Sequence, residues 1–197
     1  MKLVLASKNR HKLAEMQTIL GELGLEVVLE SEVGVDVDVE ETGTTFEENA
    51  LLKAKAVMEA SGMAAIADDS GLEVDALHGA PGVYSARYGG KDSDAARTAL
   101  LLENMRDVPQ EKRTARFVSA IACALPDGRV VTARGVCEGT VLFETRGDNG
   151  FGYDPVFFVP ELGMTFAEAD GARKNAVSHR GNALKEFCKV WKETGLC

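Results

Sequence analysis

Two long strand patterns, Arg113 to Leu125 and Arg129 to Glu138, are separated only by Pro126-Asp127-Gly128. Proline, aspartate and glycine in a row are turn chemistry, so the two runs read as one β-hairpin. This pair constrains the fold more than any other feature. It places antiparallel strands in the middle of a chain whose flanks alternate strand and helix patterns. Lys2-Leu3-Val4-Leu5-Ala6 is a first strand, and Leu13, Met16, Ile19, Leu20 and Leu23 then recur at helical spacing. Leu25 to Leu29 is a second strand. Thr44-x-x-Glu47 has the form of a capping box and opens a helix with Phe46, Ala50, Leu51, Ala54, Val57 and Met58 as its apolar face. Asp92 or Ser93 caps a further helix through Met105. Thr140 to Glu144 and Val156 to Val159 are short strands, and Thr165-x-x-Glu168 opens a short helical turn. Ser178 is the N-cap of a last helix with Leu184, Phe187, Cys188 and Trp191 as its stripe, the tryptophan read as core. Strands mixed with helices around an antiparallel pair make an α/β fold with a mixed sheet.

With 197 residues, 45% hydrophobic and 27% charged, the chain has the make-up of a globular protein, and residues 1–197 read as a single domain. No apolar run approaches the length of a membrane span. A strand starting at Lys2 leaves no room for a secretory leader, so the expected location is cytoplasmic. Cys123, Cys137, Cys188 and Cys197 form no CxxC pair, which argues against structural zinc and against a catalytic thiol. A net charge of −9 is the wrong sign for a broad nucleic-acid footprint. An anionic small molecule would need a local cationic cluster, or a divalent metal held by carboxylates.

The chain supplies both. Ser7-Lys8-Asn9-Arg10-His11-Lys12 is the turn from the first strand into the first helix, with Ser7 or Asn9 as N-cap. A helix start suits phosphate, and cations crowded there are unfavourable unless an anion visits. Asp36 to Glu41 holds four carboxylates in six positions, and Lys53 follows one turn after Asn49 on the next helix. The apolar run before Asp68-Asp69 reads as a buried strand that ends at the two acids. Two carboxylates at a strand end repel unless a cation or proton sits between them, although Asp-Ser-Gly is also ordinary turn chemistry. Two glycine-rich loops, Leu77 to Gly90 and Gly147 to Pro155, are long for connectors and have the character of functional loops. Arg173-Lys174 lies in polar chain before the last helix.

In this combination the chain resembles the inosine triphosphate pyrophosphatase family, the Ham1/RdgB type of non-canonical purine nucleotide pyrophosphatase. The matching stretches are Ser7 to Lys12, Glu40-Glu41-Thr42-Gly43 through Ala50, Ala67 to Leu72, Gly79 to Tyr88, Gly150 to Pro155, and Ser178-His179-Arg180-Gly181. They run in the family's order along essentially the whole chain. The resemblance implies a two-lobed α/β fold around a long, curved mixed β-sheet with flanking helices, a substrate cleft between the lobes, and a homodimer. The implied reaction hydrolyses ITP, dITP and XTP to the monophosphate and pyrophosphate with Mg2+, clearing deaminated purines from the nucleotide pool.

Residue roles follow from the same resemblance. Asp69 is the expected general base and a metal contact, and Glu40 the other metal carboxylate, with Glu41 and Asp68 as the next choices. Lys12, Lys53 and Lys174 are expected to hold phosphates, with Lys53 also serving catalysis. Ser7, Lys8, Asn9, Arg10, His11 and Ser70 complete the phosphate side. Phe151 offers an apolar face for stacking, and Gly152, Tyr153 and Asp154 line the purine. Hypoxanthine and xanthine carry an oxygen acceptor at the 6-position where adenine carries an amino donor. Arg180, which has donors and no acceptor, is expected to read that oxygen together with His179. Three other readings stand beside this one: a related enzyme for modified pyrimidine nucleotides, a non-catalytic nucleotide-binding module, and a structural protein. The last would leave the cationic helix starts unexplained.

Overall fold

A computed structural model of the chain describes residues 1–195, so Cys197 lies outside the described residues. The sheet has seven strands in the order β2-β1-β3-β4-β5-β6-β7. They are β1 (Lys2–Leu5), β2 (Glu26–Leu29), β3 (Ala65–Val74), β4 (Thr114–Ala124), β5 (Val130–Val141), β6 (Phe157–Val159) and β7 (Met164–Thr165). Strand β1 pairs in parallel with both β2 and β3, whereas β5–β6 and β6–β7 are antiparallel. The mixed α/β sheet expected from the hairpin is therefore present. The β4–β5 turn closes with Leu125 N–H on Arg129 O at 2.9 Å, and Asp127 accepts from Arg129 N–H at 3.0 Å. Among the described residues no helix is long and apolar enough to cross a membrane.

The described residues form five α-helices, α1 (Arg10–Leu20), α2 (Phe46–Ser61) and α3 (Asp94–Asn104) between strands, and α4 (Gly171–Val177) and α5 (His179–Glu193) after β7. Their caps follow the sequence chemistry. The Asn9 side chain accepts from His11 and Lys12 N–H and so caps α1. The Ser93 hydroxyl caps α3. Helix α2 has its capping box one residue later than the pattern suggested, with Thr45 as N-cap and Glu48 as its partner. Glu48 also accepts from Thr44 N–H and hydroxyl. One further expectation is corrected. Residues 142–144 are not a strand, because Thr140 and Val141 are the end of β5. Lys174 lies on α4, whose N-cap is Asp170.

The described residues divide into two compact units, residues 1–69, 119–135 and 180–195, and residues 70–118 and 136–179. The first unit has its core between the sheet and helices α1 and α5: Leu3, Leu5, Ile66, Ile121 and Cys123 meet Met16, Leu20, Leu184, Phe187 and Trp191. Trp191 is fully buried and stacks on Phe187, with centroids 5.4 Å apart. The second unit packs Leu72, Val74, Phe117, Val141, Phe157 and Phe166 against Leu101 and Met105 of α3. Its buried Arg113 meets carbonyl oxygens rather than a carboxylate, donating to Met105, Val108, Val141 and Leu142.

The largest departure from the sequence reading concerns Asp68 and Asp69. The strand does not end there. It runs on through Ser70 and Gly71 to Val74, and the two carboxylates are 1% and 7% exposed. A buried strand carries charges in its middle only when cations from other elements come to meet them. The site shows which.

Candidate active site

Successive side chains of a strand point to opposite faces of its sheet. Asp68 shares the face of Ile66, which α1 and α5 cover, and Asp69 takes the other face, toward α2. The two acids bind different cations. Asp68 Oδ2 binds Lys12 Nζ at 2.8 Å and Arg180 Nη2 at 3.0 Å, and Oδ1 accepts from the Ser119 hydroxyl. Lys12 Nζ also donates to the Asp68 carbonyl at 3.0 Å, and Arg180 Nη1 binds the Glu15 carboxylate. Burial works against the Asp68 charge, but Arg180, Lys12 and Ser119 hold its carboxyl well below the usual range. Burial likewise opposes the charge of Arg180, and Asp68 and Glu15 more than offset it, so the guanidinium is held more firmly protonated. Burial lowers the Lys12 ammonium, with Asp68 as the main counterweight.

On the other face, Lys53 Nζ lies 2.6 Å from Asp69 Oδ1 and 2.9 Å from Glu41 Oε1. One cation thus serves two carboxylates. Burial opposes its charge, yet the two acids raise the Lys53 pKa above its ordinary value. Asp69 fares less well: burial raises its carboxyl, Lys53 offsets that in part, and Glu41 adds repulsion. Asp69 Oδ2 is buried and makes no hydrogen bond among the described residues. A buried carboxylate oxygen without a partner costs stability and is kept where something else uses it. The neighbouring Asn49 on α2 accepts from Gly43 N–H at 2.8 Å and leaves its own buried amide nitrogen without a partner. That bond draws the chain after Glu40-Glu41 onto α2, and a Cβ on Gly43 would lie 2.6 Å from the Asn49 oxygen.

Other expected site residues of this unit cluster at the start of α1. The Ser7 hydroxyl accepts from Asn9 N–H at 3.1 Å, which fixes the turn. Asn9 is occupied by capping, so the N–H groups of His11 and Lys12 are satisfied rather than open. Lys8, Arg10 and His11 are exposed, with Lys8 paired to Asp36 at 2.6 Å. Glu40 is exposed in irregular chain, whereas Glu41 is the acid tied to Lys53.

The second unit gathers the remaining ones. Lys174 is buried, binds Asp154 Oδ2 at 2.7 Å, and lies 4.8 Å from the centre of the Phe151 ring. It therefore stands under the aromatic loop. Asp154 Oδ2 also accepts from Phe151 N–H at 3.0 Å. Gly150 (φ 75°) must be glycine, since a Cβ there would fall 2.0 Å from that oxygen. Phe151 is half-buried. The Tyr153 side chain is committed to the fold: it is buried, and its hydroxyl donates to Ser85 O at 2.8 Å. The Ser85 hydroxyl in turn accepts from Leu72 N–H and donates to Gly82 O. His179 stacks on Phe117 with ring centroids 4.7 Å apart. Ser70 is half-buried on β3.

Four contributors were not singled out from sequence: Glu15, Asn49, Ser119 and Asp94. Ser119 left a trace, as the lone hydroxyl inside the apolar run Phe117 to Leu125, and Glu15 stands three residues after Lys12 on one helix. Cys123 and Cys137 are buried, and burial pushes both thiols up to about 12.

Among the described residues Asp69 is thus a buried carboxylate held at one oxygen by Lys53 and unmet at the other, in the same unit as the cation-bearing start of α1. The chain belongs to the Ham1 family, matching it over residues 3–190. It is 53% identical to the dITP/XTP pyrophosphatase of Exiguobacterium sibiricum, with 95% of each chain covered. It is also 53% identical to the dITP/XTP pyrophosphatase of Desulforamulus reducens, covering 96% of this chain and 95% of that one. Among solved structures it is similar to a HAM1 protein from Coxiella burnetii, with a TM-score of 0.89, 45% identity, and 98% and 99% of the two chains covered.

Proposed function

We infer that this chain hydrolyses non-canonical purine nucleoside triphosphates, namely ITP, dITP and XTP, to the monophosphate and pyrophosphate. Family membership and relatives named dITP/XTP pyrophosphatase at about half identity over nearly the full chain support this reading. The observation that carries it is Asp69. Lys53 holds Oδ1 at 2.6 Å, while the buried Oδ2 has no hydrogen-bond partner among the described residues. In our reading Oδ2 takes a proton from the water that attacks the α-phosphorus. Lys53 orients the carboxylate and offers positive charge to the phosphate oxygens. Ser7, Lys8, Asn9, Arg10, His11, Lys12 and Ser70 serve the phosphates, with Asn9 acting through the helix cap.

The donor set fits a magnesium ion, which favours hard oxygen, keeps several waters and needs only one or two protein carboxylates beside substrate phosphates. Asp69 Oδ2 and the exposed Glu40 would hold it, Glu41 being tied to Lys53. Asp68 is a poor candidate, because Lys12, Arg180 and Ser119 occupy its oxygens. When bound, the ion would neutralise charge on the triphosphate and on the departing pyrophosphate.

For the base, Phe151 is the stacking platform, carried by Asp154 and Lys174, with Gly152 presenting backbone and Tyr153 bracing the loop. Arg180 and His179 read the 6-oxo group. Asp68 and Glu15 fix the plane of the Arg180 guanidinium, so its donors are preorganised. Residues 1–197 act as one catalytic domain, and the chain works as a cytoplasmic homodimer, which light scattering in solution tests.

The deciding experiment incubates the protein with Mg2+ and each nucleoside triphosphate, then identifies the products. Pyrophosphate and monophosphate from ITP, dITP and XTP, with ATP and GTP slow, is the expected result. Release of single phosphates, or a preference for modified pyrimidine nucleotides, would overturn the reading.

A further inference from the structure

Helix α3 lies 58 residues before the Phe151 loop in the chain, yet its first turn grips that loop. Asp94 Oδ2 accepts from Gly152 N–H at 2.8 Å. The Thr98 hydroxyl, one turn later, reaches Gly152 O at 3.4 Å. Gly152 is in the left-handed region (φ 63°), so its peptide groups do not follow a regular element and depend on outside partners. Asp94 is itself fixed: Oδ1 binds Arg97 Nη2, and Arg97 Nη1 donates to Lys91 O at 2.8 Å. Burial works against its charge, but Gly152 N–H and Arg97 hold its carboxyl below the usual range. On the other side of Phe151, the Asp154–Lys174 pair holds Phe151 N–H. Two carboxylates therefore hold consecutive backbone N–H groups here, Asp154 that of Phe151 and Asp94 that of Gly152.

We propose that Asp94 is a positioning residue for base recognition: it sets the backbone of Phe151-Gly152, and through it the angle and depth of the stacking ring. This rests on the reading of Phe151 as the base platform. Asp94 is committed to Gly152 N–H and to Arg97. Its removal should therefore weaken binding of ligands that carry a purine and leave purine-free anions alone. The effect should vanish when the ring is already absent. Asparagine should largely restore function, because its amide oxygen can still accept from Gly152 N–H.

The test measures, by calorimetry, the Kd of inosine monophosphate and of pyrophosphate for the wild type, Asp94→Ala, Asp94→Asn, Phe151→Ala and the Asp94→Ala/Phe151→Ala double variant. The expected result is a loss of about tenfold in inosine monophosphate affinity for Asp94→Ala, the scale of one charge-assisted hydrogen bond. Pyrophosphate affinity should be unchanged, Asp94→Asn should lie near wild type, and the double variant should equal Phe151→Ala. Equal losses for both ligands, an unmoved inosine monophosphate affinity, or additive effects in the double variant would each overturn the proposal. Should Asp94→Ala not fold, Thr98→Val removes the other half of the clamp and must show the same ligand split, in smaller degree. The platform reading fails separately if Phe151→Ala binds inosine monophosphate as well as wild type does.

Discussion

Asp68 binds Lys12 and Arg180 on one face of the sheet, while its neighbour Asp69 binds Lys53 on the other. One residue of pleat separates a fully compensated carboxylate from a half-compensated one. The first is spent on the fold, and the second keeps one buried oxygen unmet among the described residues.

Asp69→Asn should fold and lose turnover. The amide is nearly isosteric but takes no proton from water, so a fall of at least about a hundredfold is expected. Circular dichroism and pyrophosphate release measured together check it; a folded, active variant would move the base elsewhere. The pH profile adds a sign. Burial raises the Asp69 carboxyl, and Lys53 lowers it. A base works when ionised, so Lys53→Met should shift the acid limb of kcat/KM to higher pH as well as reduce its height.

Glu40→Ala should raise the magnesium concentration needed for half-maximal activity, through loss of one hard oxygen ligand. Glu41→Ala should instead act mainly on the Lys53 ion pair and leave that titration closer to wild type. A magnesium titration of both variants decides between them, and the reverse pattern would exchange their roles.

Asp68→Asn should destabilise the protein by about 3–5 kcal/mol at pH 7, the scale for removing one partner of a buried ion pair. The folded carboxyl lies well below its ordinary value of 3.8. The stabilisation it contributes is therefore present above that value and is lost as pH falls through the lower folded pKa. Urea unfolding at pH 7 and at successively lower pH should show the wild type losing its advantage over Asp68→Asn in acid. A constant difference between the two across that range would contradict this.

Arg180→Lys keeps a cation beside Asp68 and removes the planar fork. It should therefore spare the fold better than alanine does. The kcat/KM for ITP should fall about 10- to 150-fold, equivalent to about 1.5–3 kcal/mol for a hydrogen bond to a charged group, with ATP almost unaffected. Equal losses for both nucleotides would assign Arg180 to the frame around Asp68 and pass base reading to His179 and the Phe151 loop.

Much of this protein was legible in its residues taken in order. The Pro126-Asp127-Gly128 hairpin, the helical stripes, the Asn9 and Ser93 caps and the mixed sheet are local matters of periodicity and turn chemistry, which depend on neighbours a few positions away. The motifs also pointed to the acids, lysines and aromatic loop of the proposed site. What they could not assign was who meets whom. Asp68 and Asp69 looked like one carboxylate pair at a strand end because solvent is the default for two adjacent charges. Only the tertiary structure brings Lys12 from α1, Arg180 from α5 and Ser119 from β4 to one of them and Lys53 from α2 to the other. Once both charges are met from separate faces, the strand has no reason to stop. The same holds for Asp94, an unremarked first-turn acid until folding places Gly152 N–H 2.8 Å from it. Sequence determined which chemical groups the chain owns and which local elements carry them. Burial and long-range pairing decided which of those groups are spent on the fold and which keep a valence open, because the cost of an unmet charge depends on what surrounds it.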